Sequence, residues 1–223
     1  MESPVESKEL LTEVDLFGDF DETELDAIAA TCETRSLRRG DVLITEGSRP
    51  SELFVVVSGR LAIANRSIDG RESVVALMER GMAFGEMGLF LERGRTAEAR
   101  ALEPSEVLAI PYDTIRAAYE ARPELLWSVV SLLAERIATM DGVLADAVFL
   151  DVTGRTAKRL LELAGDADDF TLPVTQEELA GMVGASRERV NKAIAQFVRL
   201  GWIEQNERHY RITNRQQMEI RAR

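Results

Sequence analysis

The chain has 223 residues but only one cysteine and one histidine, and those two scarcities remove several kinds of chemistry at once. Cys32 alone cannot make an internal disulfide, a cysteine-built zinc site or a four-cysteine iron–sulfur cluster. His209 alone excludes multi-histidine metal sites and argues against Ser-His-Asp catalysis. No apolar run approaches the ~18 residues of a membrane span, so no membrane partner is expected. The opening segment, MESPVESKELLTEVDLF, is acidic and lacks a basic stretch followed by an apolar one. No signal peptide is therefore expected, and the expected compartment is the cytoplasm. Cys32 reads as a buried helix residue and His209 as a surface or phosphate-near one, rather than a haem ligand. Hydrophobic residues still make up 45% of the chain, enough to bury a core in one large or two small domains.

Positive charge is scarce overall, with a formal net charge of −12. The deficit is not uniform. Residues 1–151 carry 15 basic and 29 acidic side chains, whereas residues 186–223 carry 9 and 4. This asymmetry keeps a nucleic-acid partner open in an acidic protein, and it places the contact in the last third.

Three blocks follow one another. Between Gly40 and Gly94 lie 8 of the 15 glycines, separating short β-rich runs at 41–44, 53–57, 60–66 and 72–78, with two more at 97–101 and 106–110. Many short strands punctuated by turn residues predict a β-sandwich, roll or barrel. DETELDAIAATC, before it, reads as a flanking helix. After Pro123 the chain becomes long and helical. Leu126, Val130, Leu133, Ile137, Met140, Leu144 and Ala147 alternate at spacings of four and three. That seam predicts a paired helix, the alternative being one long helix packed on its own β-domain. Gly142 is its weak point.

From Asp151 on, TGRTAKRLLELAG reads as a helix and DADDF as an acidic loop. TQEELAGMV has Thr175 three residues before Glu178, a capping-box spacing. After Gly184-Ala185, Ser186 caps SRERVNKAIAQFVRL, whose inward face is Val190, Ile194, Phe197 and Val198. Two such helices around a Gly-containing turn predict a helix-turn-helix, and WIEQNERHYRI reads as its wing.

Two clusters carry chemistry. In the second helix, Arg187, Glu188, Asn191 and Lys192 are related by i,i+4 spacing and are read as one exposed patch. Arg and Lys can pair with guanine, Glu with cytosine and Asn with adenine. The plainer alternative is a solvated face on which Glu188 and Lys192 pair with each other. In the β-block, FGEMGLF leads through LERG into Arg95-Thr96-Ala97. A Gly-rich turn lets backbone N–H groups approach an anion, and an Arg close behind can fork two phosphate oxygens. A Glu beside the Gly can accept from a ribose hydroxyl. The plainer alternative is a β-turn with surface charge.

FGEMGLF with the following RTA resembles the phosphate-binding cassette of cyclic-nucleotide-binding domains. FLDVTGR and VTQEELAGMVGASRERVNKAI resemble the Crp/Fnr superfamily of bacterial transcription regulators, closest to its cyclic-AMP-receptor branch and to actinobacterial members. The resemblance runs from about Leu16 through the wing. It implies an α+β chain: a cyclic-nucleotide-binding β-roll over 1–122, a dimerisation helix over 123–150 and a winged helix-turn-helix over 151–223. It implies a homodimer, cyclic AMP (cAMP) as effector, double-stranded palindromic DNA with GTGA-like half-sites and RNA polymerase as partners, and no enzymatic activity. Gly85 and Glu86, with Met87 beside them, would hold the ribose; Arg95 and Thr96 would hold the cyclic phosphate. Arg187, Glu188 and Lys192 would read bases, with Thr175, Ser186, Asn191 and Arg208 also on the DNA. Where cyclic-AMP receptors carry a Thr-Ser or Thr-Asn pair toward adenine, this chain has Met140 and Asp141, and Asp141 offers an acceptor for the adenine amino group. Other readings are a regulator that binds DNA without ligand or with another effector, and a nucleotide-binding regulatory subunit that contacts protein.

Overall fold

The computed structural model describes residues 4–66, 72–91 and 93–223. Gly70, read as a turn between strands, and Glu92, within the cassette segment, lie outside the described residues. The chain divides into two compact units, the second taking in Ala138–Arg223.

The first unit opens with helices α1 (Pro4–Thr12) and α2 (Glu22–Ala29). Asp21 caps α2 through a full capping box with Glu24, at 2.8 and 2.9 Å. Eight strands follow: β1 (Glu33–Leu37), β2 (Val42–Ile44), β3 (Glu52–Ser58), β4 (Leu61–Arg66), β5 (Glu72–Met78), β6 (Ala83–Phe84), β7 (Glu98–Ala101) and β8 (Ser105–Pro111). The one-turn helix α3 (Met87–Phe90) lies between β6 and β7, and α4 (Tyr112–Ala121) follows β8. The strands form two four-stranded sheets, ordered β1-β8-β3-β6 and β2-β7-β4-β5, and every pairing with a described register is antiparallel.

The run LFVVV does not alternate polar with apolar, because β3 is buried on both faces. Phe54 and Val56 join Ile44, Leu61, Phe84 and Val107 in one core. Leu53, Val55 and Val57 join Leu25, Ile28, Ile115 and Val129 in another, shared with the helices. A continuous apolar run is what such a strand requires.

Helix α5 (Leu126–Phe149) is unbroken through Gly142, a residue that costs about 1 kcal/mol against Ala. Its apolar seam is divided. Leu126 and Leu133 are partly buried against the first unit's own core, beside the buried Val129. Val130, Ile137, Met140 and Leu144 are exposed. In the single chain the seam expected from the spacing is divided: one edge packs at home and the other is uncovered.

Cys32 also departs from expectation. It follows the end of α2 rather than lying within it, and it is only partly buried. Its thiol donates to the Ile28 carbonyl at 3.1 Å, and burial pushes it up to about 12. A neutral thiol of this kind is a packing group.

In the second unit, α6 (Val152–Ala164), α7 (Gln176–Val183), α8 (Arg187–Arg199) and α9 (Arg215–Arg221) combine with strands β9 (Asp169–Thr171), β10 (Ile203–Asn206) and β11 (His209–Ile212). The sheet order is β10-β11-β9, so the expected hairpin is a three-stranded wing sheet. Part of the segment read as an acidic loop supplies the third strand. Asp169 within it binds His209 at 2.8 Å and Arg211 at 3.0 Å. Its backbone register with β11 recruits it, a long-range pairing with no local signature. Val190, Ala193, Ile194 and Phe197 seat α8 in the core. Val198, expected with them, is exposed.

Candidate nucleotide cassette and DNA-reading face

The cassette is built where β6 meets α3. Gly85 takes a φ of +86°, a conformation that side chains disfavour. A Cβ there would also come within 2.9 Å of the Arg95 guanidinium. At Gly88 a Cβ would lie 2.4 Å from Pro50 and 2.6 Å from the Tyr112 hydroxyl. The glycines thus admit the side chains that line the turn.

Arg95 is fixed to the loop before β3 through its backbone: its N–H donates to the Ser48 carbonyl, and its carbonyl accepts from the Gly47 N–H, each at 2.8 Å. Its Nη1 donates to the Gly85 carbonyl at 3.0 Å and to the Tyr112 hydroxyl at 2.8 Å. Its Nη2 donates to the Glu52 carbonyl at 2.6 Å. The guanidinium lies 5.7 Å from the ring centres of both Phe54 and Tyr112. All of these partners are neutral, and among the described residues no carboxylate pairs with Arg95. Thr96 follows, its Oγ1 3.9 Å from the Met87 sulfur. Gly85, Glu86, Met87, Arg95 and Thr96 are therefore gathered in one place.

Glu86 is 1% exposed. Its Oε1 accepts a short charge-assisted bond from Arg136 of α5, whose Nη2 also donates to the Ala83 carbonyl at 2.6 Å. Its Oε2 is buried and has no hydrogen-bond partner. A buried acceptor left unmade is costly, so this oxygen calls for a donor.

Arg136 and Tyr112 were not found by sequence reasoning. They lie 50 and 27 residues from the cassette groups they touch. A lone cation in an apolar helical run was the only signal for Arg136. Met140 and Asp141 lie in the second unit, and both side chains are exposed on α5.

The second unit presents a polar face around α8. Thr175 caps α7 through the expected box: its Oγ1 accepts from the Glu178 N–H at 3.2 Å, and Glu178 accepts from the Thr175 N–H at 2.6 Å. Gly184 closes α7 at a φ of +66°, which sets the turn into Ser186. Ser186 accepts from the Arg189 N–H at 3.4 Å. Thr175, Arg187 and Arg208 line one open groove with Glu177 and Glu207. Arg208 donates to the Leu172 carbonyl at 2.9 Å. Lys192 and Arg189 line a second groove with Asp151 and Thr153. Glu188 and Lys192 are exposed and pair at 2.7 Å, which holds the Glu188 carboxyl below its usual range.

One member of the expected patch is less exposed than the other three. Asn191 is half-buried, and its Oδ1 is buried without a partner. Arg187, Glu188 and Lys192, by contrast, are exposed.

A roll carrying a buried acid and a cation with no carboxylate partner among the described residues, followed by a long helix and a winged helix-turn-helix, is the architecture of a DNA-binding regulator. Comparison with known proteins gives the same class. Residues 34–122 match the cyclic nucleotide-binding domain and residues 154–220 the Crp-like helix-turn-helix domain. The chain belongs to the Crp/Fnr family of transcription regulators, a family of DNA-binding regulators rather than enzymes. It is 33% identical over 222 residues to the CRP-like cAMP-activated global transcriptional regulator of Mycobacterium tuberculosis, covering 96% of this chain and 99% of that one. It is 32% identical over 170 residues to the cAMP-activated global transcriptional regulator CRP of Salmonella typhimurium, covering 73% and 81%. Among solved structures it is similar to the Thermus thermophilus catabolite activator protein, with TM-score 0.53 and 27% identity over 93% and 98% of the chains. The fold also matches the c-di-GMP-responsive regulator CLP of Xanthomonas campestris, with TM-score 0.76 and 24% identity over 86% and 99%. Among the described residues no helix is long and apolar enough to cross a membrane.

Proposed function

We propose that this chain is a cytoplasmic, homodimeric regulator that binds palindromic DNA under the control of cyclic AMP and contacts RNA polymerase. The observation that carries the effector reading is the presence of Glu86 and Arg95 at one turn, each with an unmet need. Glu86 keeps one buried carboxylate oxygen without a donor, and Arg95 is a cation with no acidic partner among the described residues. A ribose hydroxyl would satisfy the first and a cyclic phosphate would neutralise the second. Met87 and Thr96 would border the sugar and phosphate.

The Glu86–Arg136 bond ties the cassette to α5. A ligand that completes the Glu86 oxygen in one arrangement of α5 and not in another would bias that helix, and differential affinity is what an effector needs. Met140 and Asp141 enter the proposal on the family resemblance alone, with Asp141 as the adenine acceptor. The departure at those two positions supports a second reading, in which another purine is preferred.

Calorimetric titration of the full chain with cyclic AMP and cyclic GMP tests both. The expected result is binding of cyclic AMP that Arg95→Ala reduces by at least about a hundredfold, given that charge-assisted, bidentate contacts are the strong ones. Preference for cyclic GMP would establish the second reading. Unchanged affinity in Arg95→Ala would reduce the cassette to a turn.

A further inference from the structure

The Tyr112 hydroxyl sits at a three-way junction in the cassette. It accepts from Arg95 Nη1 at 2.8 Å and donates to the Gly85 carbonyl. That same carbonyl accepts from Nη1 at 3.0 Å. The two acceptors on Nη1 touch each other and hold it from one side, while the Glu52 carbonyl accepts from Nη2 at 2.6 Å. The Nε–H and the second Nη2–H have no partner among the described residues. Nε and Nη2 share one edge of a guanidinium, the edge that can grip two oxygens of a phosphate.

The hydroxyl is itself well placed for this task. Tyr112 begins α4, and its backbone N–H is anchored to the Ser51 carbonyl at 3.0 Å. The side chain is 3% exposed, and Gly88 leaves the space its hydroxyl fills. Burial raises the phenol above its ordinary range, with Arg95 opposing, so it remains a neutral donor and acceptor at physiological pH.

We propose that Tyr112 is the positioning residue for the phosphate-binding cation, its hydroxyl locking Arg95 so that the Nε–Nη2 edge stands free as the phosphate fork. The inference rests on the reading of Arg95 as the cyclic-phosphate ligand and adds what orients it. Without the hydroxyl, Nη1 loses a neutral acceptor and the guanidinium can rotate, so part of the binding energy is spent on ordering it. Arg95→Lys has no fork to orient, so in that background the hydroxyl has no phosphate role left.

The test is a double-mutant cycle on the full chain with cyclic AMP as the titrant: wild type, Tyr112→Phe, Arg95→Lys and the double variant, with Arg95→Ala as reference. Thermal melting confirms that each variant is folded. Tyr112→Phe is expected to weaken cyclic AMP about fivefold to tenfold, the loss of one ordered hydrogen bond. It should weaken Arg95→Lys by less than about twofold, a non-additivity that a general packing role would not give. Wild-type affinity in Tyr112→Phe, with Arg95→Ala impaired, overturns the inference and leaves the Arg95 reading standing. Equal losses in the wild-type and Arg95→Lys backgrounds overturn it too. Absence of binding to wild type, or full binding to Arg95→Ala, fells the Arg95 reading and this inference together. If Tyr112→Phe does not fold, replacement of Tyr112 by 4-fluorophenylalanine, which fills part of the hydroxyl's space without donating, carries the same comparison.

Discussion

Glu188 and Lys192 hold each other on the surface of α8, both about three-quarters exposed. An ion pair this wet is weak, so DNA can exchange it for base contacts at little cost. Glu188→Ala should therefore leave the fold unchanged and relax discrimination by about an order of magnitude at one base pair in each half-site. Non-specific binding should not weaken, because the change removes a negative charge from a basic face. Binding-site selection with both proteins checks this, and identical half-sites at identical stringency would show that the face is only solvated. At this scale the cassette was legible because its groups are local: ten residues separate Gly85 from Arg95. Arg136 and Tyr112 were not, since only folding brings α5 and the start of α4 to the same turn. Asn191 is half-buried although Arg187, one turn earlier, is exposed, because i,i+4 spacing fixes an angular sector and not the depth at which a side chain lies.

Helix α5 shows how far periodicity reaches among the elements. The alternation of four and three found the helix and its apolar face. It did not show that this face is divided, with Leu126 and Leu133 on the chain's own core and Val130, Ile137 and Leu144 uncovered. The last three recur every seven residues, the spacing of a paired seam. Substitutions that test pairing must therefore avoid Leu133, whose loss would disturb the roll. Ile137→Asp with Leu144→Asp would place four charges in the proposed dimer seam at a cost of several kcal/mol. Sedimentation should find a folded monomer with lost affinity for palindromic DNA; a persistent dimer would move the interface elsewhere. Strands β6 and β9, of two and three residues, were invisible because they are too short for a period. Both are defined by their partners, β3 and β11.

Across the whole chain the charge is partitioned with the work. The acidic first unit holds Arg95 as a cation among neutral partners, while the last third carries the basic excess that DNA requires. Helix α5 runs from Arg136, bonded to the cassette, into the unit that carries the winged helix-turn-helix. Control of DNA binding by cyclic AMP requires the two ligands to be thermodynamically coupled, and such coupling is reciprocal. The direct measurement is calorimetric titration of cyclic AMP into the full chain, alone and saturated with palindromic DNA, alongside DNA titrations with and without cyclic AMP. The predicted result is that DNA tightens cyclic AMP by the same factor as cyclic AMP tightens DNA, within the typical range of about 5- to 150-fold. Equal cyclic AMP affinity with and without DNA would contradict it.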